Sequence, residues 1–215
     1  MANVKGQRRR YDSTLRQEQA RQTRARILDA AQKLFAERGY ANTSVEAIAR
    51  AAGVATDTVY ASFQSKPGLL HKLLDVRVGG DEEPVGILER AGPQAVKREP
   101  SQRRQLEAFA SDVTTIQERV RSVDDIMRGA AAVDPEIAAF RTRIHESRLD
   151  NMRQLASWIA SKGPLRDGMS VDDAAAIVWT VASPEVHRLL RAERGWTVER
   201  YRDWLATTLT RTLLP

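Results

Sequence analysis

From residue 24 onward the apolar side chains of this chain recur at helical, 3.6-residue spacing, and no segment sustains the period-two alternation of a strand. That pattern predicts an all-α protein. With 215 residues and 42% hydrophobic content, the chain has enough apolar surface to bury a sizeable core. No apolar run reaches the roughly 18 residues that a membrane span needs. The basic amino terminus also lacks the apolar stretch of a signal peptide, so a cytoplasmic location is expected. The absence of cysteine excludes disulfides, thiolate metal sites and cysteine nucleophiles together.

The spacing predicts a first helix beginning after Thr23, with Ile27, Ala30, Ala31, Leu34 and Phe35 on one face and Gly39 as its left-handed stop. A second opens at Thr43-Ser44-Val45-Glu46, read as a capping box with Thr43 and Glu46 as its partners, and buries Val45, Ile48 and Ala49. Ser65-Lys66-Pro67 starts a fourth helix through Leu69, Leu70, Leu73 and Leu74. Residues 79–100, with three prolines and four glycines, read as a loop-rich connector holding one or two short helical turns. Helical spacing returns over 102–121, 123–132 and 135–161. It continues over 171–182, breaks at Ser183-Pro184, resumes over 185–193, and ends in a helix capped by Thr197.

Charge is distributed unevenly along this pattern. Residues 1–26 hold eight basic side chains against two acidic ones, while the rest of the chain is balanced, so the whole formal surplus of +6 sits on one tail. Such a tail suits a polyanion, although a solubilising end accounts for it equally well.

Between Thr43 and Phe63 the spacing becomes diagnostic. Gly53 follows Ala49 by four residues, and both are small where two helices cross; glycine also supplies the positive φ of a tight turn. This is helix-turn-helix spacing. Val54, Val59 and Phe63 fasten a short third helix to the other two, leaving Thr56, Asp57, Thr58 and Tyr60 toward its outer side. A free polar face of that size fits a DNA major groove.

The series Ile27, Ala30-Ala31, Leu34-Phe35, Gly39-Tyr40, Thr43-Ser44-Val45, Ile48-Ala49, Ala52-Gly53-Val54, Thr58-Val59-Tyr60, Phe63 and Lys66 resembles the amino-terminal domain of TetR-type transcriptional regulators over about residues 22–75. The resemblance implies a dimeric repressor with a three-helix DNA-binding head and a helical body that takes an inducer. It implies phosphate contact for Thr43 and Lys66, and contact with backbone or bases for Thr58 and Tyr60. The family usually places Ser where this chain has Ala55, so the third helix lacks its customary cap. Thr56 or Asp57 is then expected to cap, and Asp57 reads either as a helix-dipole residue or as an acceptor for a cytosine amine. Arg8, Arg9 and Arg10 gain a role as an arm that follows phosphates or enters a minor groove.

The expected organisation is a flexible basic arm over 1–21, a DNA-binding head over 22–68, and a ligand-binding and dimerisation body over 69–215. Phe109, Met127, Phe140, His145, Met152, Trp158 and Trp179 are candidates for an inducer cavity, each also explicable as plain core. Ile177, Val181, Val186, Leu190, Trp204 and Leu205 are candidates for a dimer surface, the family building its interface from two carboxy-terminal helices per subunit. The expected partners are a palindromic double-stranded operator, a small-molecule inducer and a second copy of the chain, with no membrane, cofactor or metal and a place at the nucleoid. An enzyme is disfavoured. His71, His145 and His187 have no metal-ligand spacing, and neither a nucleophile elbow nor a phosphate-cradling glycine loop is present. The rival within DNA binding is a regulator that works without an inducer.

Overall fold

The structure is a computed structural model that describes the backbone of residues 4–215 and the side chains of residues 15–215. Among the described residues it is helical from end to end, without strands. The order is α1 (Val4–Arg38), α2 (Val45–Ala52), α3 (Thr56–Phe63), α4 (Lys66–Gly79), a 3-10 turn (Ile87–Glu89), α5 (Ala91–Arg98), α6 (Gln102–Ala131), α7 (Pro135–Ala160), α8 (Val171–Val181), α9 (Pro184–Arg188), a π turn (Leu189–Glu193) and α10 (Val198–Leu213). Most of the stretch expected as a basic arm is thus continuous with α1. The side chains of Arg8, Arg9 and Arg10 lie outside the described residues.

Two apolar cores organise the chain. The first joins Ile27, Phe35, Ile48, Val59 and Phe63 to Leu69, Leu70 and Leu73 of α4, then to Val123, Met127 and Ile137 of α6 and α7. The second holds Leu106, Phe109, Leu155, Ile159, Val178, Tyr201, Leu205 and Leu209. Because α6 and α7 contribute to both, the core of the three-helix head is continuous with the helices behind it. The expected boundary after residue 68 falls inside α4.

Helix ends follow local chemistry. Gly39 takes φ 79 and its amide donates to the Phe35 carbonyl at 3.0 Å, closing α1. Gly53, at φ 67, makes the turn between α2 and α3. Ser65, Ser101, Asp134, Ser170, Ser183 and Thr197 each accept a backbone amide at the start of a helix.

Three expectations change. The cap of α2 is Ser44, whose hydroxyl accepts from the Ala47 amide at 3.2 Å, not Thr43. The two helices expected over 102–121 and 123–132 form the single 30-residue α6, since nothing near Ser122 interrupts the backbone ladder. The segment after Ser183 opens as a helix and loosens into a π turn before Arg194.

Candidate functional site

The outer face of α3 is built by what it buries. Val59 and Phe63 are 2% and 6% exposed and point into the first core, which turns Asp57 and Tyr60 to solvent and leaves Thr56 and Thr58 half-buried beside them. Tyr60 is 44% exposed, a large aromatic ring held outside any core. Ala55 occupies the N-cap without a side-chain hydrogen bond, so neither Thr56 nor Asp57 takes over the cap as expected. The Thr58 amide donates to the Ala55 carbonyl at 3.0 Å, which leaves the amides of Thr56 and Asp57 without a cap.

Thr43 does not belong to that surface. It is 1% exposed, and its hydroxyl lies 3.2 Å from the Leu34 carbonyl and 2.9 Å from that of Gly39, where it satisfies the end of α1. A hydroxyl sealed against its own backbone cannot reach a phosphate, which corrects the role inferred for it. Ser44, next in sequence, stands exposed at the start of α2.

Lys66 opens α4, half-buried, with its ammonium 4.1 Å from the centre of the Tyr40 ring; burial pulls its pKa down. The Tyr40 hydroxyl donates to Asp134 Oδ2 at 2.9 Å, and burial, reinforced by that carboxylate, pushes the phenol pKa up. Asp134 in turn caps α7, its Oδ1 accepting from the amides of Glu136 and Ile137 at 3.0 and 3.3 Å. One chain of contacts therefore runs from the start of α4 to the start of α7.

Behind the head lies a cavity of about 830 Å3. Phe109, Met127, Phe140, His145, Met152 and Trp158 all reach its wall. Trp179 does not: its indole donates to the His145 carbonyl at 3.1 Å and its ring carries the Arg148 guanidinium 4.9 Å away. That residue is corrected from cavity lining to support behind the lining. Sequence reasoning missed the connector's contribution, since Val85, Ile87 and Leu88 close one side. The available signal was three branched apolar residues in a stretch otherwise rich in glycine, proline and charge.

Residues 27–73 match the family model for bacterial regulatory proteins of the tetR family. The chain's DNA-binding head is thus of the tetR family. The chain is 25% identical over 177 residues to the HTH-type transcriptional regulator TtgR of Pseudomonas putida, covering 80% of this chain and 82% of that one. A shorter stretch of 72 residues is 36% identical to the HTH-type regulator AcrR of Shigella flexneri, over 34% of this chain and 32% of that one. Among solved structures, NalD, the secondary repressor of the MexAB-OprM multidrug efflux pump in Pseudomonas aeruginosa, superposes with a TM-score of 0.69 at 25% identity, over 92% of this chain and 98% of that one. These TetR-family relatives are regulators and not enzymes.

Toward the carboxy terminus, Ile177, Val181, Val186, Leu190 and Trp204 are half-buried against their own subunit. Leu205 is fully buried in the second core and is corrected from interface candidate to core residue. Leu189, absent from the sequence-derived set, stands 44% exposed on the π turn. Among the described residues no group of three acidic or histidine side chains is placed to hold a metal, and no helix is long and apolar enough to cross a membrane.

Proposed function

We propose that this protein is a homodimeric TetR-family repressor that grips a palindromic operator through α3 and leaves it when a small molecule enters the body cavity. The observation that carries the reading is the division of α3: Val59 and Phe63 hold it to the core while Asp57 and Tyr60 project outward. An eight-residue helix held this way presents side chains to a groove without having to stabilise itself.

Thr56, Thr58 and Tyr60 meet bases or backbone, Lys66 meets a phosphate, and Asp57 either favours the helix dipole or accepts from cytosine. The uncapped amides of Thr56 and Asp57 and the exposed Ser44 supply neutral phosphate donors. Arg8, Arg9 and Arg10 add affinity that does not depend on sequence. The head spans 22–68 and the body 69–215. Two copies meet through the segment from α8 to the π turn and through α10, with Ile177, Val181, Val186, Leu190 and Trp204 on the contact, since a two-fold dimer doubles the few contacts of one short helix.

NalD's description as a repressor of a multidrug efflux pump supports repression, and the cavity's size and apolar wall support a small-molecule inducer. The test is selection of genomic duplexes by the purified protein, followed by release assays with apolar compounds. Recovery of a palindrome bound by a dimer and freed by at least one compound is expected. Random recovered sequences contradict the operator reading; a bound palindrome that no compound frees moves the chain to regulation without an inducer.

A further inference from the structure

We infer that the body cavity takes an amphiphilic cation, an apolar body carrying a positive charge, with Asp112 as its counter-ion. This rests on the reading of the cavity as the inducer site and adds the chemistry of the inducer. The ground for it is which charges on the wall are already committed.

Three of the five lysine and arginine side chains on the wall are held by hydrogen bonds. Arg90 donates to Asp81 at 2.9 and 3.0 Å and to the Gly79 carbonyl at 2.7 Å. Arg141 donates to Glu185 at 3.1 Å and stands 3.8 Å from Asp124. Arg148 donates to the Trp179 carbonyl and lies over that residue's ring, while Arg143 lies over Phe140 at 5.7 Å. Lys72 is set near Asp75, three residues on along α4, where burial pushes the carboxyl's pKa up and the ammonium opposes it.

Asp112 differs. It sits half-buried on α6, lines the cavity, and makes no hydrogen bond or ion pair among the described residues. Burial pushes its pKa up, with only the distant pull of Arg119 opposing. The Arg119 guanidinium is itself spent on the carbonyls of Arg77 and Val78 at 3.1 and 2.8 Å.

A Cβ at residue 92 would lie 2.0 Å from Asp112 Oδ1 and 2.8 Å from Oδ2, so one side of the carboxylate lies against the Gly92 backbone, which brings it no side-chain partner. Phe109 and Ile116, about one turn away on α6, and the adjacent Val113 give it an apolar frame. A desolvated carboxylate without a partner favours a ligand that supplies the missing positive charge, and the flanking wall favours an apolar remainder. An anion of equal size meets the same carboxylate as a repulsion.

Tetraphenylphosphonium and tetraphenylborate have nearly the same shape and opposite charge, and triphenylphosphine oxide is a neutral companion. Calorimetric titration of the full-length protein is expected to show the phosphonium binding at least about tenfold more tightly than the borate, since a charge pair a few ångströms apart at a partly wet site is worth that much. Asp112→Asn is expected to remove most of that preference while changing triphenylphosphine oxide binding less than about threefold. Equal or tighter binding of the borate overturns the inference, as does a preference that survives in Asp112→Asn. Should that variant not fold, the comparison of the two ions on the unaltered chain still decides. If the oxide binds and frees the operator but the cation has no advantage, the charge inference alone fails. If none of the three binds, the inducer reading fails with it.

Discussion

The Tyr40 hydroxyl and the Asp134 carboxylate, 94 positions apart in sequence, meet at 2.9 Å and tie the α1–α2 turn to the cap of α7. Tyr40 also carries Lys66 over its ring, so the proposed phosphate contact and a cavity helix share one anchor. Tyr40→Phe is expected to cost about 1.5–3 kcal/mol of unfolding free energy, the worth of a hydrogen bond to a charged acceptor. A double-mutant cycle with Asp134→Asn should return a coupling of about 1 kcal/mol by urea denaturation. Strictly additive single effects would show that the contact holds nothing together.

Ala55 leaves α3 without the side-chain cap that Ser44 and Ser65 give its neighbours. Ala55→Ser should raise stability by about 0.5–2 kcal/mol, the usual gain from a serine N-cap. Thermal melts read it directly. No increase would mean that the first amides of α3 are already satisfied in solution.

At the other end of α3, a Cβ on residue 68 would fall 2.3 Å from the Phe63 carbonyl oxygen. That neighbour is backbone and cannot rotate away, so Gly68→Ala should destabilise the α3–α4 junction by about 1–3 kcal/mol, the range for overpacking a tight contact. An alanine variant as stable as the parent would contradict the close approach.

His71, His145 and His187 all have pKa values lowered from 6.5, with burial the first cause in each. For a histidine held neutral when folded, the unfolded chain binds the proton more readily. The stabilisation is therefore complete above about 6.5, where both states are neutral, and is lost as pH falls below it. His187 faces Glu118 at 2.9 Å, and Arg191 shares that carboxylate, so its burial is only partly offset. The melting temperature should fall from pH 7 to pH 5 and change little from pH 7 to pH 8. A midpoint that rises on mild acidification would reverse the argument.

The all-helical class and the divided face of α3 were legible because helix spacing and a glycine elbow are local signals. Gly39, Gly53 and Ser65 did what their positions implied, each within a few residues of its partner. The failures share a different cause. Thr43 and Ser44 are both plausible caps in sequence, and only the end of α1, nine residues back at Leu34, decides which hydroxyl is consumed. Trp179 and Leu205 were placed by residue type, but which side of a helix meets a cavity, a core or solvent is set by distant packing. Asp112 carried no sequence signal at all, because being unpartnered is a property of everything around a residue.

The central claim is that the exposed edge of α3 recognises duplex DNA, and Tyr60 tests it with least risk to the fold, being 44% exposed and outside either core. The measurement is the affinity of Tyr60→Ala for the selected operator and for an unrelated duplex at one fixed salt concentration. Specific binding is expected to weaken by about 1–3 kcal/mol with little change on the unrelated duplex and an unchanged melting temperature. Operator affinity equal to that of the unaltered protein would contradict the account.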